Sequence, residues 1–101
     1  MICVKSPESF EKDKIRKHLD AINAWCFAPF MAGFGKSGVP DLVCCYRTMF
    51  LGIEVKRPGK NPTPIQERRM AEIKARGGIA IWGDAESVIA QLKRLFPNGG
   101  V

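Results

Sequence analysis

The segment DLVCCYRTMFLGIEVK, residues 41–56, constrains the fold more than any other stretch, because two apolar runs flank a short turn. The pattern predicts a β-hairpin that turns near Arg47 and Thr48. In the second strand every other residue is apolar, whereas Glu54 and Lys56 leave the opposite face side by side. A slip of one residue would bury both charges against the apolar face, so the pairing register is strongly specified.

Pairing across this hairpin places Asp41, which precedes the first strand, close to Glu54. A bare carboxylate is costly to bury, and two neighbouring carboxylates raise each other's pKa unless a cation lies between them. Because carboxylate, carbonyl and water oxygens suit Mg²⁺ and Mn²⁺, we expect a metal site, with Lys56 beside it to orient a water or stabilise charge on a phosphate. Alternatively, Glu54 and Lys56 form a solvated pair and Asp41 only caps a turn.

Capping residues and apolar spacing predict three helices. The first is capped by Ser6 and ends near Asn23, the second follows from Thr63 and ends just before Gly77, and the third is capped by Asp84. Each predicted start has a Ser, Thr or Asp side chain that can accept a hydrogen bond from the first turn.

Apolar runs at residues 24–30 and 78–82 add two strands to the hairpin, while residues 31–38 are glycine-rich and predict a flexible loop. The element order is αβββαβα, which predicts an α/β (α+β) fold: a mixed central sheet of about four strands flanked by helices. With 101 residues, we expect one domain over residues 1–101.

The chain carries 16 Lys and Arg against 10 Asp and Glu, a formal charge of +6, which favours polyanionic partners such as nucleic acid. No apolar run approaches the ~20 residues of a membrane span, and no signal-peptide core is evident, so we expect a cytoplasmic protein with no membrane partner. The four cysteines form no C-x-x-C pair and are predicted to be packing residues. His18 is interpreted as a helix-face residue, and Trp25 and Trp82 as core or interface aromatics.

The residues "PD" at 40–41 and "EVK" at 54–56 resemble the PD-(D/E)xK nuclease superfamily. The stretch "GVPDLV" at 38–43, followed by "IEVKRPGKNPTPIQERRMAEIKARGG" at 53–78, resembles the VRR-Nuc branch over residues 8–90. This resemblance implies a restriction-endonuclease-like core and a metal-dependent DNA endonuclease. The catalytic residues that it implies are Asp41, Glu54, Lys56 and Gln66, with Asp41, Glu54 and the backbone carbonyl of Val55 as metal ligands.

The resemblance also implies an acid on the first helix, which falls on Glu11 or Glu8. Glu11 lies on the apolar stripe of that helix with Ile15 and Leu19. A charge in that stripe is explained if Glu11 is a catalytic residue that binds the metal or a water on it. An acid at the position of Glu8 is explained equally well by a salt bridge at the helix end. Glu11 is therefore preferred as the acid of the site.

Gln66 has two compatible interpretations. Thr63 and Gln66 fit a capping box, in which the glutamine reaches back to the backbone of the cap. The resemblance also implies that Gln66 lies near the active site, where it contacts Lys56 or the scissile phosphate.

The predicted function is therefore Mg²⁺- or Mn²⁺-dependent cleavage of duplex or branched DNA. Relatives of this small type are associated with four-way (Holliday) junctions, homodimers, and phage or bacterial origin. A non-catalytic nucleic-acid-binding module of the same fold is the alternative, and a protein-interaction domain is a third interpretation. The residues predicted to contact DNA phosphates are Lys36, Arg57, Lys60, Arg68 and Arg69.

Overall fold

The computed structural model describes residues 6–30 and 35–98. Cys3 and residues 31–34, the first half of the predicted glycine-rich loop, lie outside these ranges. Within them, none of the helices is long and apolar enough to cross a membrane. The elements, in the predicted order, are α1 (Pro7–Ala21), β1 (Trp25–Phe27), β2 (Leu42–Tyr46), β3 (Met49–Val55), α2 (Pro64–Ala75), β4 (Ile79–Gly83) and α3 (Ala85–Leu95).

The three helices begin where their capping residues predict. Ser6 caps α1 by accepting a hydrogen bond from the backbone N–H of Ser9 at 3.2 Å. Asp84 caps α3 in the same way through the N–H of Ser87 at 2.9 Å. These bonds satisfy donors that the helix itself leaves without partners.

The four strands form one mixed sheet in the order β1-β2-β3-β4. Strands β1, β2 and β3 are antiparallel neighbours, and β4 runs parallel to β3. Helices α1 and α3 pack on one face, where the core lies, and α2 packs against β3 and β4. The predicted fold is confirmed. The core residues are Ile15, Leu19, Leu42, Cys44, Leu51, Ile53, Val55, Ile81, Ala85, Val88 and Leu92.

The hairpin of β2 and β3 has the predicted register. Arg47 and Thr48 form the turn with φ of 50° and 70°, the backbone twist that matches two-residue hairpins. Leu42 lies opposite Ile53, so alternate residues of both strands point into the core.

The prediction that Cys45 is a packing residue is wrong, because Cys45 is exposed. Trp25 is 68% exposed, which excludes a place in the core and leaves the interface interpretation. Both lie on the sheet face opposite α1 and α3, at the side of β1 and β2. Because α2 packs against β3 and β4, it does not cover them. By contrast, Cys44 is buried as predicted.

Candidate active site

The hairpin places Asp41 beside Glu54 at the end of the sheet. Leu42 lies opposite Ile53, so Asp41, one residue before β2, faces Glu54 across the pair. Asp41 Oδ2 accepts a hydrogen bond from the backbone N–H of Val55 at 2.9 Å. The two carboxyl groups therefore lie close together, as the hairpin register predicts.

Glu54 is a buried carboxyl group, with 2% of its surface exposed. Its Oε1 forms no hydrogen bond with the part of the chain that the structure describes. Burial, followed by the hydrogen bond and negative charge of Asp41, raises the pKa of Glu54 to about 9, against the opposing charge of Lys56. A divalent cation bound to Oε1 would give this atom a partner and would lower the pKa of Glu54 by favouring the ionised carboxylate.

Lys56 leaves the same face of β3 as Glu54, two residues further on. It is 9% exposed, and its backbone N–H donates to the carbonyl of Gly83 at 2.9 Å. This bond continues the pairing of β3 with β4 by one residue and fixes the end of the strand. The Lys56 ammonium group is thereby held close enough to Glu54 for its positive charge to oppose the rise in the pKa of Glu54.

A cleft of about 380 Å³ lies in front of Lys56. Ser6 and Thr63, the N-caps of α1 and α2, both line it, so the partially positive ends of two helices open on the same space. Together with the lysines and arginine in its walls, these helix ends suit an anion such as a phosphodiester. The lining residues are Ser6, Pro7, Glu8, Lys56, Arg57, Lys60, Asn61 and Thr63.

Glu11 has partners that explain its inward position without a metal. Its side chain is 15% exposed, which agrees with its place on the apolar stripe of α1. Its Oε1 accepts the backbone N–H of Ala85 at 2.9 Å, and Oε2 lies 3.5 Å from Lys14 Nζ. Because Ala85 is the first residue of α3, Glu11 satisfies an open helix end. A metal-binding role of Glu11 stays a prediction.

Glu8, one turn earlier on α1, lies at the cleft. It lines the cleft with Lys56, and its negative charge contributes to the raised pKa of Glu54. Glu8 is thus placed next to the cleft, whereas Glu11 contacts α3; which of the two is the site acid stays a prediction.

Gln66 forms the predicted capping box. Its Oε1 accepts the backbone N–H of Thr63 at 2.8 Å, and Thr63 Oγ1 accepts the N–H of Gln66 at 3.3 Å. Because Thr63 lines the cleft, the box holds the start of α2 at the site. A contact of Gln66 with substrate stays a prediction.

Three of the five predicted DNA-binding residues gather around Glu72 of α2. Arg69 donates to both carboxylate oxygens of Glu72, at 3.0 and 3.1 Å, and to the carbonyl of Ser37 at 2.8 Å. It therefore anchors the segment before β2, and a contact of Arg69 with DNA stays a prediction. Lys36 and Arg68 lie 3.9 Å from the same carboxylate and are largely exposed, so both remain accessible to DNA.

The oxygen atoms at the hairpin end fit a hard divalent cation. In an extended strand the N–H and C=O of one residue point to the same side, so the carbonyl of Val55 lies on the side where its N–H meets Asp41. Over residues 6–30 and 35–98, no group of three or more His, Cys, Asp or Glu could hold a metal ion. The oxygen atoms that could hold a cation are therefore limited to those of Asp41, Glu54 and the Val55 carbonyl, a set that Mg²⁺ accepts when water completes its coordination; the metal site itself stays a prediction.

Two contributors to this region were not predicted. Trp82 pairs with Glu54 across β3 and β4, and Glu72 forms ion pairs with Arg68 and Arg69 of α2 and with Lys36 of the loop before β2. The spacing of Arg69 and Glu72, three apart on a helix, is a signal that could have identified the second. The position of Trp82 depends on the parallel register of β4, which has no local sequence signal.

No family sequence model matches the chain, and no curated protein does. A solved structure described as a VRR_NUC domain superposes with a TM-score of 0.77 at 20% identity, covering 91% of this chain and 99% of that one. A second, described as a VRR_NUC domain protein, gives 0.69 at 18% identity, covering 97% and 93%. The chain is an α+β protein with a mixed sheet. More specifically, it has the fold of VRR-Nuc domains, as the sequence resemblance implied.

Proposed function

We propose that this chain is a small VRR-Nuc endonuclease that hydrolyses phosphodiester bonds in DNA with Mg²⁺ or Mn²⁺. The observation that carries the proposal is the buried Oε1 of Glu54, which has no hydrogen-bond partner among residues 6–30 and 35–98 and lies among the charges of Asp41 and Lys56. Burying such groups costs stability, and strongly perturbed carboxyl groups beside a cleft are typical of functional sites.

Asp41, Glu54 and the carbonyl of Val55 would hold the metal ion. When bound, such an ion supplies a Lewis acid that polarises a phosphoryl oxygen and lowers the pKa of a coordinated water. Lys56 donates to a non-bridging phosphate oxygen. It thereby stabilises the charge that grows as a water oxygen bonds to phosphorus and the P–O bond to the leaving sugar breaks.

Residues around the cleft position the substrate. Glu8 accepts a hydrogen bond from water on the side of the cleft formed by α1, and the box of Thr63 and Gln66 holds the N-terminus of α2 towards the phosphate. Arg57 and Lys60 bind neighbouring phosphates.

Branched DNA, including four-way junctions, is the proposed substrate, and a homodimer the proposed assembly. A two-fold pair of sites would cut two strands symmetrically. The proposed origin is a bacterium or a phage, with action on DNA in the cytoplasm of the cell.

The test is cleavage of a panel of linear duplex, flap and four-way junction DNAs, with Mg²⁺ and Mn²⁺ titrated and the products resolved on denaturing gels. We expect the wild type to cut at least one branched substrate in a metal-dependent way. Asp41→Asn and Lys56→Met should each reduce the rate about 100-fold or more. Asp20→Asn, the same chemical change at an exposed position on α1, should have no effect.

Two outcomes would contradict the proposal. If the wild type binds these DNAs but cuts none of them in either metal, the chain is a non-catalytic nucleic-acid-binding module. If Asp41→Asn cuts as fast as the wild type, the site assigned here is wrong.

A further inference from the structure

The face of the sheet opposite α1 and α3 carries exposed aromatic side chains where α2 does not cover it. Trp25 pairs with Cys45 and Cys45 pairs with Phe50, so all three side chains leave the same face in one row. Phe27 pairs with Val43 in the next row. We call these five residues the aromatic platform. Trp25 is 68% exposed, and Phe27 and Phe50 are 44% and 47% exposed.

The platform is an unusual surface for a basic chain of this size. Single exposed apolar residues are normal, whereas a contiguous group indicates a binding surface. The rings of Trp25 and Phe27 are in edge contact at a centroid distance of 5.7 Å. Helix α2, the element on this face, packs against β3 and β4.

Basic side chains border the platform at Phe50. A Cβ at Gly78 would lie 3.4 Å from the ring of Phe50 and 2.7 Å from Ile73, so these three residues are contiguous. Ile73 in turn lines a pocket whose other walls are basic apart from one glutamate. Three cations lie within 3.9 Å of the Glu72 carboxylate, and Arg76 donates to the backbone carbonyl of Glu72, so positive charge is in excess. These residues are Lys36, Arg68, Arg69 and Arg76 around Glu72.

The platform is also continuous with the candidate active site. Asp41, Val43 and Cys45 alternate along the chain and leave the same sheet face. Successive side chains on one face of a strand are about 7 Å apart, so the row of Trp25 lies about 14 Å from the carboxyl groups. One nucleic-acid strand could therefore contact both.

We infer that the aromatic platform binds unpaired DNA bases by stacking, while the adjoining basic pocket holds their phosphates. Exposed aromatic rings beside a positively charged groove are the combination that single-stranded nucleic acids bind without sequence preference. This inference rests on the proposed function, which it deepens by assigning to the substrate an unpaired segment next to the cut duplex.

A second copy of this chain is a less suitable occupant. A two-fold contact pairs one patch with the same patch on the partner. A dimer formed through the platform would bring the two basic pockets towards each other, and like charges across an interface oppose association.

The test compares the affinities of an oligothymidine and of a fully paired duplex, measured by fluorescence anisotropy with a chelator present to prevent cleavage. Trp25→Leu should weaken binding of the single strand at least fivefold and change duplex binding less than twofold. Trp25→Phe, which keeps an aromatic ring, should restore single-strand affinity. Leu95→Ala truncates an exposed apolar side chain on α3 and serves as the control.

Intrinsic fluorescence gives a second readout. We expect oligothymidine to quench tryptophan emission of the wild type, and the quenching to shrink in Trp25→Phe. Because Trp25 is largely exposed, its variants should keep the circular dichroism and melting temperature of the wild type.

Three results would overturn the inference: equal single-strand affinity in Trp25→Leu and wild type, equal losses for single strand and duplex, or conversion of a dimer into a monomer by Trp25→Leu in sedimentation equilibrium. The last result would assign the platform to a contact between chains. Failure of metal-dependent cleavage with single-strand binding intact would overturn the proposed function and leave the platform supported.

Discussion

Glu54 shows what alternation in a strand predicts and what it leaves open. The pattern of β3 correctly assigns its even-numbered residues to the face opposite the apolar core. It does not say whether a second layer covers that face. Because β3 lies between β2 and β4 and α2 packs above it, Glu54 is almost fully buried. The solvated pair that the sequence also allowed is therefore excluded at this position.

Burial of Glu54 makes the stability of the metal-free protein depend on pH. Its pKa is raised from an ordinary value of 4.5 to about 9, so the folded chain holds the proton more tightly than the unfolded chain. The stabilisation that the Glu54 proton gives to the folded chain is fully present below pH 4.5 and is lost as the pH rises towards 9. We expect a loss of about 2–4 kcal/mol between pH 5 and pH 8, measured by urea denaturation with a chelator present.

Glu54→Gln should remove most of that loss and should be more stable than the wild type at pH 8 without metal. Mg²⁺ or Mn²⁺ should raise the melting temperature of the wild type at pH 8 and leave Glu54→Gln unchanged. Glu86→Gln, at an exposed position in the first turn of α3, is the matched control. Identical pH dependence in wild type and Glu54→Gln would rule out Glu54 as the titrating group.

At the scale of whole elements, helix α1 demonstrates the limit of periodicity. The apolar stripe correctly indicates that Glu11 points inward, but it does not say which element Glu11 meets. That partner is the N-terminus of α3, which follows Glu11 by more than seventy residues and has no local signal. The acid nearer to the cleft, Glu8, lies in the exposed first turn, where an acid is also explained by the helix dipole.

The two acids of α1 should therefore separate activity from stability. Glu8→Gln should lower the cleavage rate and leave the melting temperature within about 2 °C of the wild type. Glu11→Gln weakens the acceptor for the N–H of Ala85, so we expect a loss of about 1 kcal/mol, or about 4–8 °C in melting temperature. Cleavage rates and thermal melts of both variants provide the measurement. The reverse pattern would return the site carboxylate to Glu11.

For the whole molecule, local signals predicted the elements and their order, because caps, turn and apolar spacing are all properties of neighbouring residues. The antiparallel hairpin joined Asp41 to Glu54 for the same reason. Features that depend on distant packing were not predictable, including the edge position of β1, which leaves Trp25 exposed, and the anchoring of Ser37 by Arg69. Likewise, the net charge of +6 favours nucleic acid but does not locate the contact.

Two of the lysines that contribute to this charge lie near opposite ends of α1, and DNA affinity should depend more strongly on one of them than on the other. Lys60 lines the cleft at the start of α1, whereas Lys93 lies against His18 near the end of α1, about 15 Å away along the helix axis from Glu8. Both substitutions, Lys60→Ala and Lys93→Ala, remove one positive charge from the chain. If Lys60 binds a phosphate directly, its loss should reduce the slope of log affinity against log salt by about 0.9, measured by anisotropy on a metal-free duplex. Equal slopes in the two variants would mean that Lys60 acts only through the long-range field of the protein.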